Sequence, residues 1–370
     1  MVYLKQFSYQ GVRNLKPGRI NLSPGLNIFE GTNGAGKSSI LEAISLGTSG
    51  RSFRTNKLDL VTAENSDEFF VNSKFEPIKS VGFSHSNKKK INRLKIDNEN
   101  IQSLSKLSGI YPTQVLCPES YHLIDSGPAE RRKYLDWLLF HVEHSFMNAW
   151  KDYSQLHKQR NALLRSGRRA DVFNQLKVWD KQYIKAAVVL NDAREKVLHD
   201  LSLIVSQIIY DLKIDFCEGI RISYYPGYRD QLEDRLTESL NSDIEKGYTQ
   251  FGPHKSDVRI KIGTTLARDL LSRGQKKVLI NALFIAQTVL LKRKTDKDSL
   301  FIIDDFTSEL DINNQKALLS MLMRQKNTQI IISCLQLEAL KWLEKGYNKA
   351  NMFHVEQGQI SVIDPVETNE

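Results

Sequence analysis

Residues Gly31-Thr32-Asn33-Gly34-Ala35-Gly36-Lys37-Ser38 spell G-x-x-x-x-G-K-[ST], a pattern whose chemistry is the holding of nucleotide phosphates. The glycines let backbone N–H groups close around a β-phosphate. Lys37 brings a point charge to the β and γ oxygens, and the Ser38 hydroxyl is a Mg²⁺ ligand, with Ser39 closing the segment. Two further motifs lie far down the chain. Leu271-Ser272-Arg273-Gly274-Gln275 reads L-S-x-G-Q. Phe301-Ile302-Ile303-Asp304-Asp305 is an apolar run ending in two carboxylates, the shape of a Walker B. There Asp304 would hold Mg²⁺ and Asp305 would orient or deprotonate an attacking water. Glu309-Leu310-Asp311 follows where a D-loop would sit.

These groups need strands and helices to aim them. Leu26 to Phe29 predicts a buried strand ahead of the phosphate loop, and Ser39 to Ile44 predicts a helix after it. Val278 to Leu291 predicts a helix behind L-S-x-G-Q, and Thr328 to Ser333 one more buried strand. Each later motif alone has a plain structural reading. Ser272 could be an ordinary N-cap, and Asp304-Asp305 the polar end of a core strand. The order of all of them along one chain identifies an α/β fold, an ATP-binding-cassette-type ATPase head with a mixed sheet and helices. In such a head the phosphate loop is completed by a second copy. Ser272, the Gly274 amide and the helix dipole would cap the γ-phosphate, so two ATP molecules would be sandwiched in a two-fold homodimer. Hydrolysis would remove the phosphate that is gripped.

Composition narrows the class. The chain has 370 residues, 41% hydrophobic and 26% charged, enough for a sizeable core. No apolar run is long enough to span a bilayer, and the first residues do not form a signal peptide. Cys117, Cys217 and Cys334 are far apart and form no C-x-x-C pair, which speaks against zinc and disulfides and for the cytoplasm. A formal charge of +9 suits a polyanionic partner, DNA above all.

The middle of the chain separates the motifs. A compact, mainly helical lobe is expected over 118–246, between head segments 1–117 and 247–370. Arg131 to His144 and Val178 to Leu212 carry helical patterns, the latter with Trp179, Ile184, Val188, Val197, Leu198, Leu201 and Ile204 on apolar positions. No heptad persists long enough for a long coiled coil, which argues against a chromosome clamp. A transporter cassette would have a shorter insert, a Q-loop Gln and a switch His. Tyr224-Tyr225-Pro226-Gly227 predicts a strand and turn, and Pro365 to Glu370 a loose tail.

Over nearly its whole length the chain resembles the RecF family of bacterial recombination mediators. The matching segments are Leu26 to Ile44, Arg51-Ser52-Phe53-Arg54, Pro118-Glu119, Gly127-Pro128 and Arg131 to Asp136. They continue with Gly252 to Asp257, Leu271 to Lys277, Asp304 to Asp311 and Phe353 to Ile360. The resemblance implies binding of duplex DNA near single-strand gaps, and slow DNA-dependent ATP hydrolysis is expected. The resemblance also implies partnership with RecR and RecO family proteins, and delivery of RecA. Departures are Lys255 for the usual Arg, Ser333 where Thr is commoner, and Asp305 where transporters use Glu. Glu119 stands where a Q-loop Gln is expected, since Gln114 is at the wrong end of its strand.

Basic clusters are the candidate DNA contacts. Lys88-Lys89-Lys90, with Arg93 and Lys95, is expected on a hairpin, and Arg131-Arg132-Lys133 opens a helix. Arg165, Arg168 and Arg169 flank a turn at Gly167, and Arg54 and Lys57 could face the nucleotide groove. Arg131 with Asp136 and Glu130 with Tyr134 are expected as helix-surface pairs. His141 and His144 lack a third ligand for a metal.

Overall fold

The computed structural model describes all residues except 1, 78, 167–168, 308–310, 326–327, 338–339, 341, 343–349 and 364–370. Two compact units divide the chain. One is Met1–Tyr121 with Ile280–Glu370, the other His122–Leu279.

The first unit is built on two six-stranded sheets. One is antiparallel, order β2-β1-β4-β5-β6-β7, from β1 (Tyr3–Gln10), β2 (Gly18–Asn21), β4 (Glu68–Glu76), β5 (Lys79–Ser86), β6 (Ile91–Ile96) and β7 (Glu99–Ile101). Its strands alternate: in β4, Phe69, Val71, Ser73 and Phe75 are buried and the residues between them are not. That is the pattern of a sheet with one wet face.

The other sheet has order β15-β14-β3-β13-β12-β8, from β3 (Leu26–Glu30), β8 (Thr113–Leu116), β12 (Ser299–Ile303), β13 (Thr328–Cys334), β14 (Asn351–Glu356) and β15 (Gln359–Ile363). All pairs are parallel except β14 with β15, so the sheet is mixed. Every residue of β12 and β13 is buried. Continuous apolar runs of this kind belong to strands covered on both faces. Helix α1 (Lys37–Ser49) is buried along almost its whole length and contacts β4 and β5 as well as β8 and β13. The core formed there includes Phe7, Phe29, Ile40, Leu41, Ile44, Val71, Phe83, Ile302, Ile331 and Phe353. Helix α2 (Leu104–Ile110) and helix α9 (Ile312–Arg324) complete this unit.

The second unit runs past residue 246 and takes in the L-S-x-G-Q segment. The reason is pairing: β10 (Asp257–Ile262) joins β9 (Ile220–Tyr225) and β11 (Thr265–Leu266) in an antiparallel sheet. Its helices are α3 (Pro128–Val142), α4 (Phe146–Arg165), α5 (Arg169–Asp211), α6 (Leu232–Lys246) and α7 (Ala267–Leu270). Helix α8 (Arg273–Thr295) begins in this unit and continues into the other. The expected strand at Tyr224-Tyr225 is the end of β9.

Helix α5 is 43 residues, about 65 Å at 1.5 Å per residue, and packs along α4. It starts well before the expected Val178. Of the apolar positions assigned to it, Val197, Leu198, Leu201 and Ile204 are buried, but Val188 is 41% exposed. Gly167 and Arg168 lie outside the described residues, as does the side chain of Arg169 and the segment Pro365 to Glu370.

Among the described residues, the expected helix-surface partners of Arg131 and Glu130 are replaced by others. Arg131 is buried and bonds Asp257 through Nε at 2.7 Å and Nη2 at 3.1 Å. Asp136 instead accepts from Arg194, and Glu130 from Lys133. Arg131 points into the unit because its guanidinium also bonds the carbonyls of Leu123, Ile124 and Ser126. Three arginines thereby hold the Gly252–Asp257 segment. Arg194 bonds the Pro253 carbonyl and the Ser256 hydroxyl, Arg132 the Ser256 carbonyl, and Arg131 the Asp257 carboxylate. Fully buried Arg160 reaches Asp180 (2.8 Å), Asp243 (2.9 Å) and Thr249 (2.8 Å).

Candidate nucleotide-binding site

Strand β3 ends at Glu30, and the phosphate loop turns from it into α1. Gly31 has φ +156°, and a Cβ there would sit 2.3 Å from the Val355 carbonyl oxygen. Gly36, at φ +120°, is the N-cap of α1. No acidic side chain lies in the first turn of α1, so its positive dipole end is not neutralised from within the helix. Thr32, Asn33 and Gly34 are exposed; Ala35, Gly36, Lys37 and Ser39 are buried. The Lys37 ammonium folds back on the loop and donates to the carbonyls of Gly31 (2.7 Å) and Thr32 (2.9 Å).

Beside β3 in the sheet lies β13, and beside β13 lies β12. Their carboxyl ends bring together residues the chain keeps apart, as the crevice of a parallel sheet does. Ser38 Oγ donates to Asp304 Oδ1 at 3.1 Å. Ser333, at the end of β13, donates to the same oxygen at 2.8 Å and accepts the Asp305 N–H at 2.8 Å. Asp305 takes a left-handed φ of 58° to make that turn. Burial pushes the Asp304 carboxyl above its ordinary value. The Ser333 and Ser38 donors pull against this, the Asp305 charge adds to it, and Arg54 opposes it.

The hard oxygens of Ser38 and Asp304, adjacent and partly buried, fit a small divalent cation. The glycine cradle and helix end fit a nucleotide's phosphates. Asp311 caps α9, accepting the N–H groups of Asn313 and Asn314 at 3.0 Å each. Glu309 and Leu310 lie outside the described residues.

The L-S-x-G-Q segment belongs to the second unit. Ser272 is the N-cap before α8: its Oγ accepts the Gln275 N–H at 3.3 Å, and Gln275 Oε1 accepts the Ser272 N–H at 2.9 Å. That reciprocal pair is a capping box. Ser272, Arg273 and Gly274 are exposed, Leu271 is buried, and the space around the Gly274 Cα is open.

Several groups at this site are not apparent from the motifs. Asn14 donates to the Gly34 carbonyl (3.2 Å) and accepts from Ser39 Oγ (2.9 Å), steadying the phosphate loop. Glu42 of α1 is fully buried. It holds Arg13 through two bonds of 2.9 Å, the Ser52 hydroxyl, and Arg54 at 3.6 Å. Lys57 is exposed and, among the described residues, its side chain makes no such tie to the site. The sequence signal for Asn14 and Ser333 is weak: a polar pair after β1, and one hydroxyl in an apolar run. Gln114 is buried and bonds Gln287 and Thr288, whereas Glu119 is exposed in the 3₁₀ turn after β8.

Residues 3–361 match the family model described as RecF/RecN/SMC N terminal domain. The chain belongs to that family. Among curated relatives, the DNA replication and repair protein RecF of Hahella chejuensis (strain KCTC 2396) is 33% identical, covering 97% of this chain and 99% of the relative. The RecF of Pseudomonas syringae pv. tomato (strain ATCC BAA-871 / DC3000) is 35% identical, covering 97% and 98%. The recombination mediator protein RecF of the RecFOR pathway, solved as RecF-ATP and as RecF-ATPrS, superposes with a TM-score of 0.84 at 25% identity, covering 98% of both chains. The Smc head domain of Pyrococcus furiosus has a TM-score of 0.56 at 14% identity and shows the shared fold. The cassette-type α/β head expected from the motif order is thus the observed fold. No helix among the described residues is long and apolar enough to cross a membrane.

Proposed function

We propose that this chain is an ATP-gated DNA-binding switch of replication and recombinational repair, acting as an ATP-sandwiched homodimer. The observation that carries the reading is the Ser38–Asp304–Ser333–Asp305 hydrogen-bonded cluster beneath a glycine phosphate cradle. The exposed Ser272–Gly274 helix start supports it as the complementary half-site.

The loop residues Gly31 to Ser39 bind the phosphates, and Lys37 exchanges its two carbonyl partners for phosphate oxygens. Ser38 and Asp304 would hold a Mg²⁺ ion, which supplies charge neutralisation at those oxygens. Asp305 orients a water for attack, and its left-handed backbone, tied to Ser333, sets where the carboxylate starts. The short Asp side chain makes hydrolysis a slow timer. Leu271 to Gln275 of a second copy would cap the γ-phosphate through Ser272 and Gly274. Duplex DNA near single-strand gaps is the macromolecular ligand, with RecR and RecO family proteins as partners and RecA loading as the output in the cytoplasm. Support for this part is the named relatives and the net charge of +9.

The test is size-exclusion of the full chain with ATP, ADP or no nucleotide, with and without duplex DNA. Dimers form in ATP alone among the nucleotide states, and Ser272→Arg binds ATP as a monomer without dimerising. Asp305→Asn accumulates the ATP dimer. A Ser272→Arg variant that dimerises normally in ATP rules out the sandwich.

A further inference from the structure

A cleft of about 420 Å³ opens in the second unit beside α3, β10 and α7. Its wall carries Arg259 and Lys261 from β10, Arg268 from α7 and Arg131 from α3. The one carboxylate among its lining residues, Asp257, is taken by Arg131 through two hydrogen bonds. Arg268 meets its neighbour Asp269 at 3.3 Å, an exposed pair of little strength. Among the described residues, the side chains of Arg259 and Lys261 form no hydrogen bond or ion pair.

Arg259 is nonetheless held. Its guanidinium carbon lies 4.0 Å from the centre of the Tyr225 ring. Stacking on a ring face fixes the cation while leaving its N–H donors available. Exposed Arg221 stands opposite Lys261 in the sheet register and extends the positive strip. An ordinary solvated surface mixes signs. The Lys88-Lys89-Lys90 turn does so, with Lys88 paired to Asp67 and Lys90 to Asp59 at 2.6 Å. The cleft does not.

We infer that this cleft takes backbone phosphates of nucleic acid, with Arg259 and Lys261 as the contacting cations. The inference rests on the DNA-binding reading above and names the surface that serves it. Phosphate is the chemistry that fits: a compact anion, met by a stacked guanidinium fork and an ammonium in a concave site. Helix α7 lies in the same wall and leads directly into Leu271, whose N–H bonds the Ala267 carbonyl. Occupancy would therefore brace the segment that presents Ser272.

The experiment is a salt titration of duplex-DNA binding by the full chain in ATP, read by anisotropy. It compares wild type, Arg259→Gln with Lys261→Gln, and Arg259→Lys with Lys261→Arg. Loss of two phosphate contacts per protomer flattens the slope of log affinity against log salt by about 1.8 for each protomer engaged in the Gln double variant. The charge-keeping double variant retains the wild-type slope, which separates charge from folding. ATP binding is unchanged in both. An unchanged slope in the Gln variant overturns the inference, and so does a flattened slope in the charge-keeping one. Calorimetry with inorganic pyrophosphate covers the other source of phosphate. Pyrophosphate binding that disappears in the Gln variant while its DNA slope stays normal assigns the cleft to a small ligand and overturns the backbone reading. Wild-type chain that binds no DNA in ATP overturns the parent reading itself.

Discussion

Buried Asp304 of the first unit bonds two hydroxyls, Ser38 and Ser333, and no cation within 4 Å among the described residues; buried Asp243 of the second unit is locked to Arg160. The hydroxyls can turn, and Lys37 nearby is held by the carbonyls of Gly31 and Thr32. Asp304 therefore keeps the capacity to exchange partners. Arg160, Arg194 and Arg131 instead meet their carboxylates inside the unit and fasten distant segments to one another. Buried charge marks chemistry where its partners are weak and exchangeable, and architecture where they are opposite charges in full register.

The largest effect is expected at Arg160. Arg160→Leu leaves Asp243 buried without its cation, and a loss of about 3–5 kcal/mol in stability follows. Chemical denaturation reads it. The folded fraction should bind ATP with wild-type affinity; a specific loss of ATP binding would show that the second unit's network serves the nucleotide site.

Next in size is Lys37→Met. Removing a charge-assisted hydrogen bond of about 1.5–3 kcal/mol weakens ATP binding by about 10- to 100-fold and abolishes the ATP-dependent dimer. Thermal stability without nucleotide should change little, since the Lys37 ammonium bonds two carbonyls of its own partly exposed loop. A large fall in melting temperature would make Lys37 architectural.

Ser333→Ala sharpens the same contrast. Asp304 loses a donor and the Asp305 N–H loses its acceptor, about 1–2 kcal/mol together. With that donor gone the Asp304 carboxyl rises further, so the acid limb of the ATPase pH profile moves to higher pH. Ser333→Thr should restore it. An acid limb that stays in place in Ser333→Ala detaches this hydroxyl from the carboxylate's titration.

A pH dependence is expected in the second unit. Burial, helped by Arg160 and Lys255, pushes His157 down to about 4. Burial, then His157 stacked at 4.2 Å, with Lys255 and Arg132, pushes His254 down to about 3, while the Thr249 carbonyl opposes. Tyr153 also bonds His254, at 2.8 Å. Between those values and 6.5 the unfolded chain binds protons that the folded chain refuses. Stability is then complete above pH 6.5 and falls as pH drops below it. Each ring loses up to about 1.4 kcal/mol per pH unit, less what solvent screening removes. A melting temperature flat from pH 7 to pH 5 would contradict it; His254→Gln should flatten the curve.

The phosphate loop, Ser272 and Asp304-Asp305 are readable because their chemistry is local. A glycine turn between strand and helix, a helix cap, and the end of an apolar strand each specify a geometry within a few residues. Arg131 shows where that stops. Its neighbours Arg132 and Lys133 make it look like a surface cation, and only its direction on α3 shows that it is buried against Asp257. Lys88 and Lys90 sit on the expected hairpin, at the β5–β6 turn, but their pairing with Asp67 and Asp59 depends on a neighbouring loop and strand start.

By itself the sequence determined the ligand class, the cassette-type head and the family, because these reside in contiguous backbone motifs. The tertiary structure alone decided that Ser333 bridges Asp304 and Asp305, that Asn14 braces Gly34, and that Arg259 and Lys261 face a cleft without free carboxylates. Those relations depend on strand order and on which way each side chain points. Residue type and spacing do not encode either across such distances, because a charged side chain reads the same whether it meets solvent, a carboxylate or a ligand.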